Sequence, residues 1–335
     1  MLTKNYPRVA LSHTPTPLEC LTNLSDHLGG PRIWAKRDDC TGLAMGGNKA
    51  RQLEFYIGDA VSNGADTLLT TGATQSNHVR MTVAAARKLG LEVEVQLEKR
   101  VDGRQPAYYE SGNPFLIKLM GAKIHFYPEG EDEDGADAAM DARADELRAE
   151  GKKPYVIPLS GSHTPYGSLG YVKAAEELVQ QFAKQSLEIS GIALASGSAT
   201  THAGLVAGMK ALDSGIPVYG LCIRRGQDAQ RVRVLEKAQK VAEMIGHEGA
   251  VSDTDVLLDD SMLAPGYGQL NDNCLEAMQL AAFHEGILLD PTYTGKSMAG
   301  LIDMIRKGQF TKDQNVVYLH TGGTPGLFGY PELVG

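Results

Sequence analysis

One local pattern constrains this chain more than any other. A short apolar run is followed by a turn rich in glycine or hydroxyl residues, then by a segment with helical spacing. Thr67 to Thr71 (TLLTT) reads as a buried strand ended by Gly72. Val79, Thr82, Val83 and Ala86 then mark one face of a helix over Asn77 to Lys88, which Ser76 or Asn77 can cap. Glu92 to Leu97 (EVEVQL) is the next strand, so the unit is βαβ and its strands pair in parallel. The pattern returns with a strand at 154–158, a helix at 169–184, a strand at 191–195, a turn at 196–201 and a helix at 202–212. Strands at 218–223 and 316–320 follow. Upstream, Leu53, Tyr56, Ile57, Ala60 and Val61 form one helix face. The acidic stretch 129–150 reads as a loop and a solvated helix whose charges form a wet face. Repeated βα units imply three-layer α/β architecture, with helices on both faces of mainly parallel sheets.

The 335 residues are enough for two domains. A net charge of -9, with no basic patch to offset it, argues against nucleic acid as partner. Cys20, Cys40, Cys222 and Cys274 lie far apart, with no zinc spacing, so reduced thiols and no metal are expected. No apolar run is long enough to span a membrane, and the N-terminus shows no secretory h-region, which points to the cytoplasm. Glycine is abundant, at 38 residues, without a collagen period. That suggests tight turns and close backbone approach to a ligand.

Open parallel sheets bind ligands beyond the carboxyl ends of their strands. Three segments after strands, and two before helices, carry the chemistry. Gly46-Gly47-Asn48-Lys49 opens the first helix; Lys49 is either a surface charge or a lysine that reacts with a carbonyl group. Gln75-Ser76-Asn77-His78 stands at a helix N-terminus, where free N–H groups and the dipole favour a carboxylate. Gly197-Ser198-Ala199-Thr200-Thr201 is a turn suited to a phosphate, but is neither a Walker sequence nor GxGxxG. His320-Thr321-Gly322-Gly323 follows the last strand, and Tyr267 and Tyr293 sit in glycine-flanked segments. A lysine, a phosphate cup and a carboxylate cup on one sheet edge match pyridoxal 5′-phosphate bound to a lysine.

With these motifs the chain resembles the fold-type II (tryptophan synthase β-like) pyridoxal-phosphate enzymes, and within them the ACC deaminase and D-cysteine desulfhydrase family (ACC is 1-aminocyclopropane-1-carboxylate). The resemblance runs from Thr14-Pro15-Thr16-Pro17-Leu18 to Phe328-Gly329-Tyr330, through Lys36-Arg37-Asp38-Asp39. It implies a large cofactor domain, 1–50 and 164–335, with a smaller domain, 51–163, inserted. It implies that Lys49 holds the cofactor and moves the substrate α-proton. Asn48 and Asn77 would partner the phenolic oxygen or the lysine, and Gly197 to Thr201 would hold the phosphate. Ser76, Asn77 and His78 would grip the substrate carboxylate, with Ser162 also in the substrate site. Tyr267 and Tyr293 match two active-site tyrosines, one of them stacking or moving a proton near the leaving group. A homodimer acting on a small amino acid is also implied.

Two positions separate subfamilies. ACC deaminases carry glutamate where this chain has Thr294 and leucine where it has Thr321. Both threonines match the desulfhydrase pattern and would be neutral partners of the cofactor's ring nitrogen. The weaker electron sink still suffices for β-elimination, because the leaving group takes the electrons. The expected reaction is α,β-elimination from a cysteine-like amino acid: D-cysteine to pyruvate, hydrogen sulfide and ammonia. L-Cysteate sulfo-lyase is the alternative, since Trp34 to Leu43 (WAKRDDCTGL) resembles that subgroup. ACC deaminase and a catalytically silent cofactor-binding protein stand behind these two. The loop 159–167 departs from the desulfhydrase pattern, and its His163 or Tyr166 could alter substrate choice.

Overall fold

A computed structural model describes residues 1–130, 132–158 and 163–333. The ten strands among them fall into two sheets. In chain order they are β1 (Leu18–Cys20), β2 (Arg32–Arg37), β3 (Thr67–Ala73), β4 (Glu92–Glu98) and β5 (Lys123–Tyr127). Then come β6 (Pro154–Ile157), β7 (Gly191–Ser196), β8 (Val218–Cys222), β9 (Leu257–Asp259) and β10 (Asn315–His320). The six-stranded sheet runs β1-β2-β10-β7-β8-β9, and the four-stranded one β5-β4-β3-β6. All pairs are parallel except β1 with β2. The expected parallel βαβ unit is β3, the helix Asn77–Lys88, and β4, with Thr67 opposite Glu92.

Helices cover both faces of each sheet, because parallel strands are apolar on both sides. Ile192, Leu194, Val218 and Val317 pack against Leu178, Leu205 and Val241 of the helices Leu169–Gln185, Thr200–Ala211 and Gln227–Met244. The other face buries Ile33, Ala193 and Tyr318 beneath the helices Asp272–Glu285 and Thr294–Arg306. In the smaller sheet, Leu68, Val93 and Val95 meet Leu53, Ile57, Val79 and Val83. Leu69 on its opposite face meets Met140 and Leu147 of the helix Glu133–Ala149.

A buried ionic network ties the larger sheet to the helix Lys49–Ser62. Asp38, fully buried just beyond β2, accepts two hydrogen bonds from Arg51 at 2.9 Å. It also accepts from Thr16 (2.8 Å) and Tyr171 (2.6 Å). Arg51 reaches Glu177 at 2.9 Å, and Lys36 donates to the same carboxylate. Burial alone would raise the Asp38 carboxyl, but Arg51, aided by Lys36 and Tyr171, holds it below the usual range. Breaking a buried pair from one side leaves an unpaired charge and costs about 3–5 kcal/mol. Arg51→Ala should therefore lower the unfolding free energy of the cofactor-free chain by about that much in a urea titration. A loss below about 1 kcal/mol would show that the network is not holding the helix.

Candidate active site

The cleft lined by Lys49, Ser76, Asn77 and the Gly197 turn encloses about 870 Å³ of empty space, part of it open to solvent. That lies within the range of ligand clefts. Its walls are the segments that follow the carboxyl ends of β3, β4, β7, β8 and β10. Lys49 lies at the first position of the helix Lys49–Ser62. Two backbone features hold it there. Gly46 has φ +71° and sits so close to the Asp39 carbonyl that a Cβ would fall 1.8 Å from it. Gly322, at φ +92°, packs its Cα side against Gly47, and the Asn48 N–H donates to the Thr321 carbonyl at 3.0 Å. The loop before Lys49 and the loop after β10 are thus pressed together backbone to backbone.

Lys49 Nζ donates to Gln52 Oε1 at 3.1 Å and forms no ion pair among the described residues. Burial, and then the nearby Lys237 charge, push its amine down to about 8. A lysine with no counter-ion is one whose free amine is accessible near neutral pH.

Two twelve-residue helices present their N-termini to the cleft. Ser76 caps the helix Asn77–Lys88 by accepting from the Val79 N–H at 3.2 Å, so its own hydroxyl proton stays available. Ala199, at φ +67°, turns the chain into the helix Thr200–Ala211. Thr201 Oγ1 accepts from Asn48 Nδ2 (2.9 Å) and from Gln52 Nε2 (2.8 Å). Its hydroxyl proton is therefore left to point elsewhere. Beneath this turn, Gln230 Nε2 donates to Ser196 Oγ (2.9 Å) and to the Gly197 carbonyl (3.1 Å).

Tyr267 and Tyr293 face the cleft edge to face, their rings 5.9 Å apart and hydroxyls 2.5 Å apart. Burial pushes both phenols up, while the Arg100 charge pulls Tyr267 partly back. The pair is neutral at physiological pH.

Several expected residues stand elsewhere. Gln75 turns away to the Tyr108 and Ser111 carbonyls, at 2.7 and 2.9 Å. Thr294 is fully buried and off the cleft wall; its hydroxyl donates to Asp290 at 2.7 Å. Thr321 does line the cleft, whereas the Thr200 side chain does not. His163 is exposed, and Tyr166 packs on Tyr6, so neither forms the wall. Ser162 lies outside the described residues.

His78 lines the cleft but cannot grip a carboxylate as expected. Thr70 gives its one proton to the Ile157 carbonyl (3.0 Å), so His78 Nε2–H must donate to Thr70 (3.0 Å). Burial, with Lys49 adding to it, lowers this imidazole to about 3 and keeps it neutral. Its remaining nitrogen, Nδ1, is then a bare acceptor without a protein partner. The donors left open on this side are the Ser76 hydroxyl and the N–H groups at the helix N-terminus.

The structure adds residues that the motifs did not announce. Arg100, Arg224 and Arg233 line the cleft with Lys49; Glu133 is the carboxylate on the wall, and Arg100 pairs with the buried Glu98 at 2.7 Å. Glu133 belongs to the acidic stretch expected to be a solvated face. Instead it pairs with Arg225 at 2.5 Å, with Arg233 at 3.0 Å and with Arg224. Burial would raise the Glu133 carboxyl, but Arg224, Arg233 and Arg225 bring it down to about 2. A signal for two of the arginines existed: Arg100 and Arg224 stand two residues past the strands β4 and β8, where ligand contacts gather.

The pyridoxal-phosphate dependent enzyme family model matches residues 9–322. The chain belongs to that family. It is 45% identical over 325 residues to a D-cysteine desulfhydrase of Salmonella paratyphi C, covering 97% of this chain and 96% of the relative. A Salmonella typhi protein of the same name is 44% identical over the same span. A solved ACC deaminase homologue superposes with a TM-score of 0.89 at 36% identity, covering 99% of this chain and 97% of its own. O-ureido-L-serine synthase, at 14% identity and a TM-score of 0.66, shares the fold.

The residues present fit pyridoxal 5′-phosphate. Thr201 has a hydroxyl proton to give, the Gly197–Thr201 turn offers helix N-terminal N–H groups, and the wall is basic. Lys49 has no competing ion pair among the described residues.

Two pH responses follow. The Lys49 amine of the cofactor-free chain should react with an aldehyde at a rate that rises through about pH 8, not through the ordinary lysine range near 10.5. A midpoint above 10 in stopped-flow absorbance would contradict this. The folded-state value of Glu133 is below its unfolded value. Its contribution to stability is therefore complete above the unfolded value, ~4.5, and is lost as pH falls towards about 2. Glu133→Gln should flatten that acid limb in a pH series of unfolding curves.

Proposed function

We propose that this enzyme eliminates the β-substituent of a cysteine-like amino acid, D-cysteine first, to pyruvate, hydrogen sulfide and ammonia. The observation that carries the reading is a Lys49 amine without a counter-ion among the described residues, facing a cleft onto which two helix N-termini open. The 45% identity to a D-cysteine desulfhydrase supports the choice of substrate.

Pyridoxal 5′-phosphate, when bound, supplies the electron sink for the carbanion at the substrate α-carbon. In this reading the first turn of the helix Thr200–Ala211, with Gly197, Ser198, Ala199 and Thr201, holds its phosphate. Asn77 donates to its phenolic oxygen, and Asn48 ties the Lys49 loop to Thr201. Thr321, on the cleft wall, is the neutral group for the ring nitrogen; Thr294 instead braces Asp290. Ser76 and the free N–H groups of Asn77 and His78 hold the substrate carboxylate. Lys49 takes the α-proton, and the Tyr267–Tyr293 pair carries a proton to the departing sulfur. The smaller domain, 51–163, would close on the larger one, 1–50 and 164–335, and exclude water.

One observation favours a second reading. Arg100, Arg224 and Arg233 on the wall, although Glu98 and Glu133 pair with them, make it basic and suit an anionic β-substituent, so sulfite release from L-cysteate is the alternative. No helix among the described residues is long and apolar enough to cross a membrane. A cytoplasmic homodimer is the setting that the resemblance implies.

The test supplies D-cysteine, L-cysteine, L-cysteate, D-serine and ACC in parallel and measures sulfide, sulfite, pyruvate and 2-oxobutyrate separately. Sulfide with equimolar pyruvate from D-cysteine is expected, and Lys49→Ala should abolish it. Sulfite from L-cysteate without sulfide from D-cysteine would replace the first reading with the second.

A further inference from the structure

Arg80 is fully buried one turn past Asn77, on the same helix, and has no carboxylate partner within salt-bridge distance among the described residues. Its Nη1 donates to Asn77 Oδ1 at 2.7 Å and to Asn113 Oδ1 at 2.6 Å, and its Nη2 to the Gly46 carbonyl at 2.9 Å. Asn113 Nδ2 adds a second hydrogen bond to Asn77 Oδ1 at 3.0 Å and one to the Gln75 carbonyl at 2.9 Å.

A guanidinium is donor-only, so every atom it touches here must be an oxygen. That settles the orientation of both amides, which shape alone would leave open. Asn77 must direct its oxygen inward, towards Arg80 and Asn113. Its NH2 end is then the one left for the cleft that Asn77 lines. The same guanidinium clamps Gly46, three residues before Lys49. Burying a cation here without a counter-ion is costly, and packing alone would be met by an apolar side chain of similar volume.

We infer that Arg80 is a positioning residue: with Asn113 it locks the Asn77 amide so that a hydrogen-bond donor, never an acceptor, faces the cofactor's phenolic oxygen, while fixing the loop that carries Lys49. The inference rests on the cofactor reading above. Burial pushes Arg80 down to about 9, so it stays charged at neutral pH and polarises the amide it holds.

The test uses Arg80→Lys, Arg80→Gln, Asn113→Ser, Asn77→Ala and the double variant Arg80→Lys with Asn77→Ala. Three quantities are read: thermal unfolding of the cofactor-free chain, affinity for pyridoxal 5′-phosphate by absorbance titration, and the pH midpoint of the bound cofactor's visible band. Arg80→Lys keeps the charge but loses the fork, and Asn113→Ser removes the second donor to Asn77 together with one acceptor of Arg80. Each should weaken cofactor affinity by roughly 10-fold, the scale on which outer-shell partners act on a ligand. Each should also shift the band midpoint upward, because the phenolic oxygen loses its donor. The double variant should lose less affinity than the two single losses combined, since the two residues share one contact and only the Gly46 clamp is independent of Asn77.

Wild-type affinity and midpoint in a folded Arg80→Lys or Asn113→Ser variant would overturn the inference. So would losses that add in the double variant, or that follow unfolding temperature alone. If Arg80→Gln fails to fold, the lysine and serine variants decide. A wild-type chain that takes up no cofactor would sink the functional reading and this inference together; a normal wild-type band with unaffected variants would sink only the role of Arg80.

Discussion

The buried pair between Asp38 and Arg51 is the constraint on which the site depends. Arg51 lies two residues after Lys49, and Asp38 follows the end of β2. Holding one to the other fixes the start of the helix Lys49–Ser62 against the carboxyl end of the larger sheet. Glu177 and Tyr171 extend the tie to the helix Leu169–Gln185. Such a network adds little net stability compared with an apolar core. Its value lies in direction: an apolar cluster would tolerate a shifted helix, whereas a two-bonded guanidinium–carboxylate contact admits one register.

From that anchored lysine the rest of the cleft follows by the geometry of parallel sheets. Five strands end at the same place, and their trailing loops meet there. Two of the loops open into helix N-termini, whose free N–H groups favour an anion without the use of a side chain. Glu133 closes the arrangement by reaching from the helix over the smaller sheet to arginines beyond β8 and on the helix Gln227–Met244. The larger and smaller sheets are thus joined by an ionic contact at the mouth of the cleft.

Much of this was legible in the chain. The strand at 67–71 and the helix Asn77–Lys88 stand where the spacing puts them, as do the strands near 191 and 316. Apolar periodicity and turn chemistry are local, and they agree here with the tertiary structure. β1, β2, β5 and β9 escaped: β1, β5 and β9 are short and only partly buried, and β2 carries three basic residues among its six, so the apolar signal is weak in each. The acidic run containing Glu133 misled for a different reason. Its partners lie about ninety to a hundred residues away, and charge patterning along one segment carries no information about them.

The sequence by itself determined the layered parallel architecture, the edge on which a ligand sits, and the set of candidate groups: a lysine, two anion cups and two tyrosines. Each is a property of a few consecutive residues. Only the tertiary structure decided which atoms of those groups are free. Gln75 and Thr294 are consumed by neighbours, and His78 is left as an acceptor by Thr70 and Ile157. Arg80 and Asn113 turn the Asn77 amide outward, while Arg100, Arg224 and Arg233 supply the charge on the wall. A hydrogen-bonding group does its work through whatever valence its partners leave open, and here those partners come from distant parts of the chain.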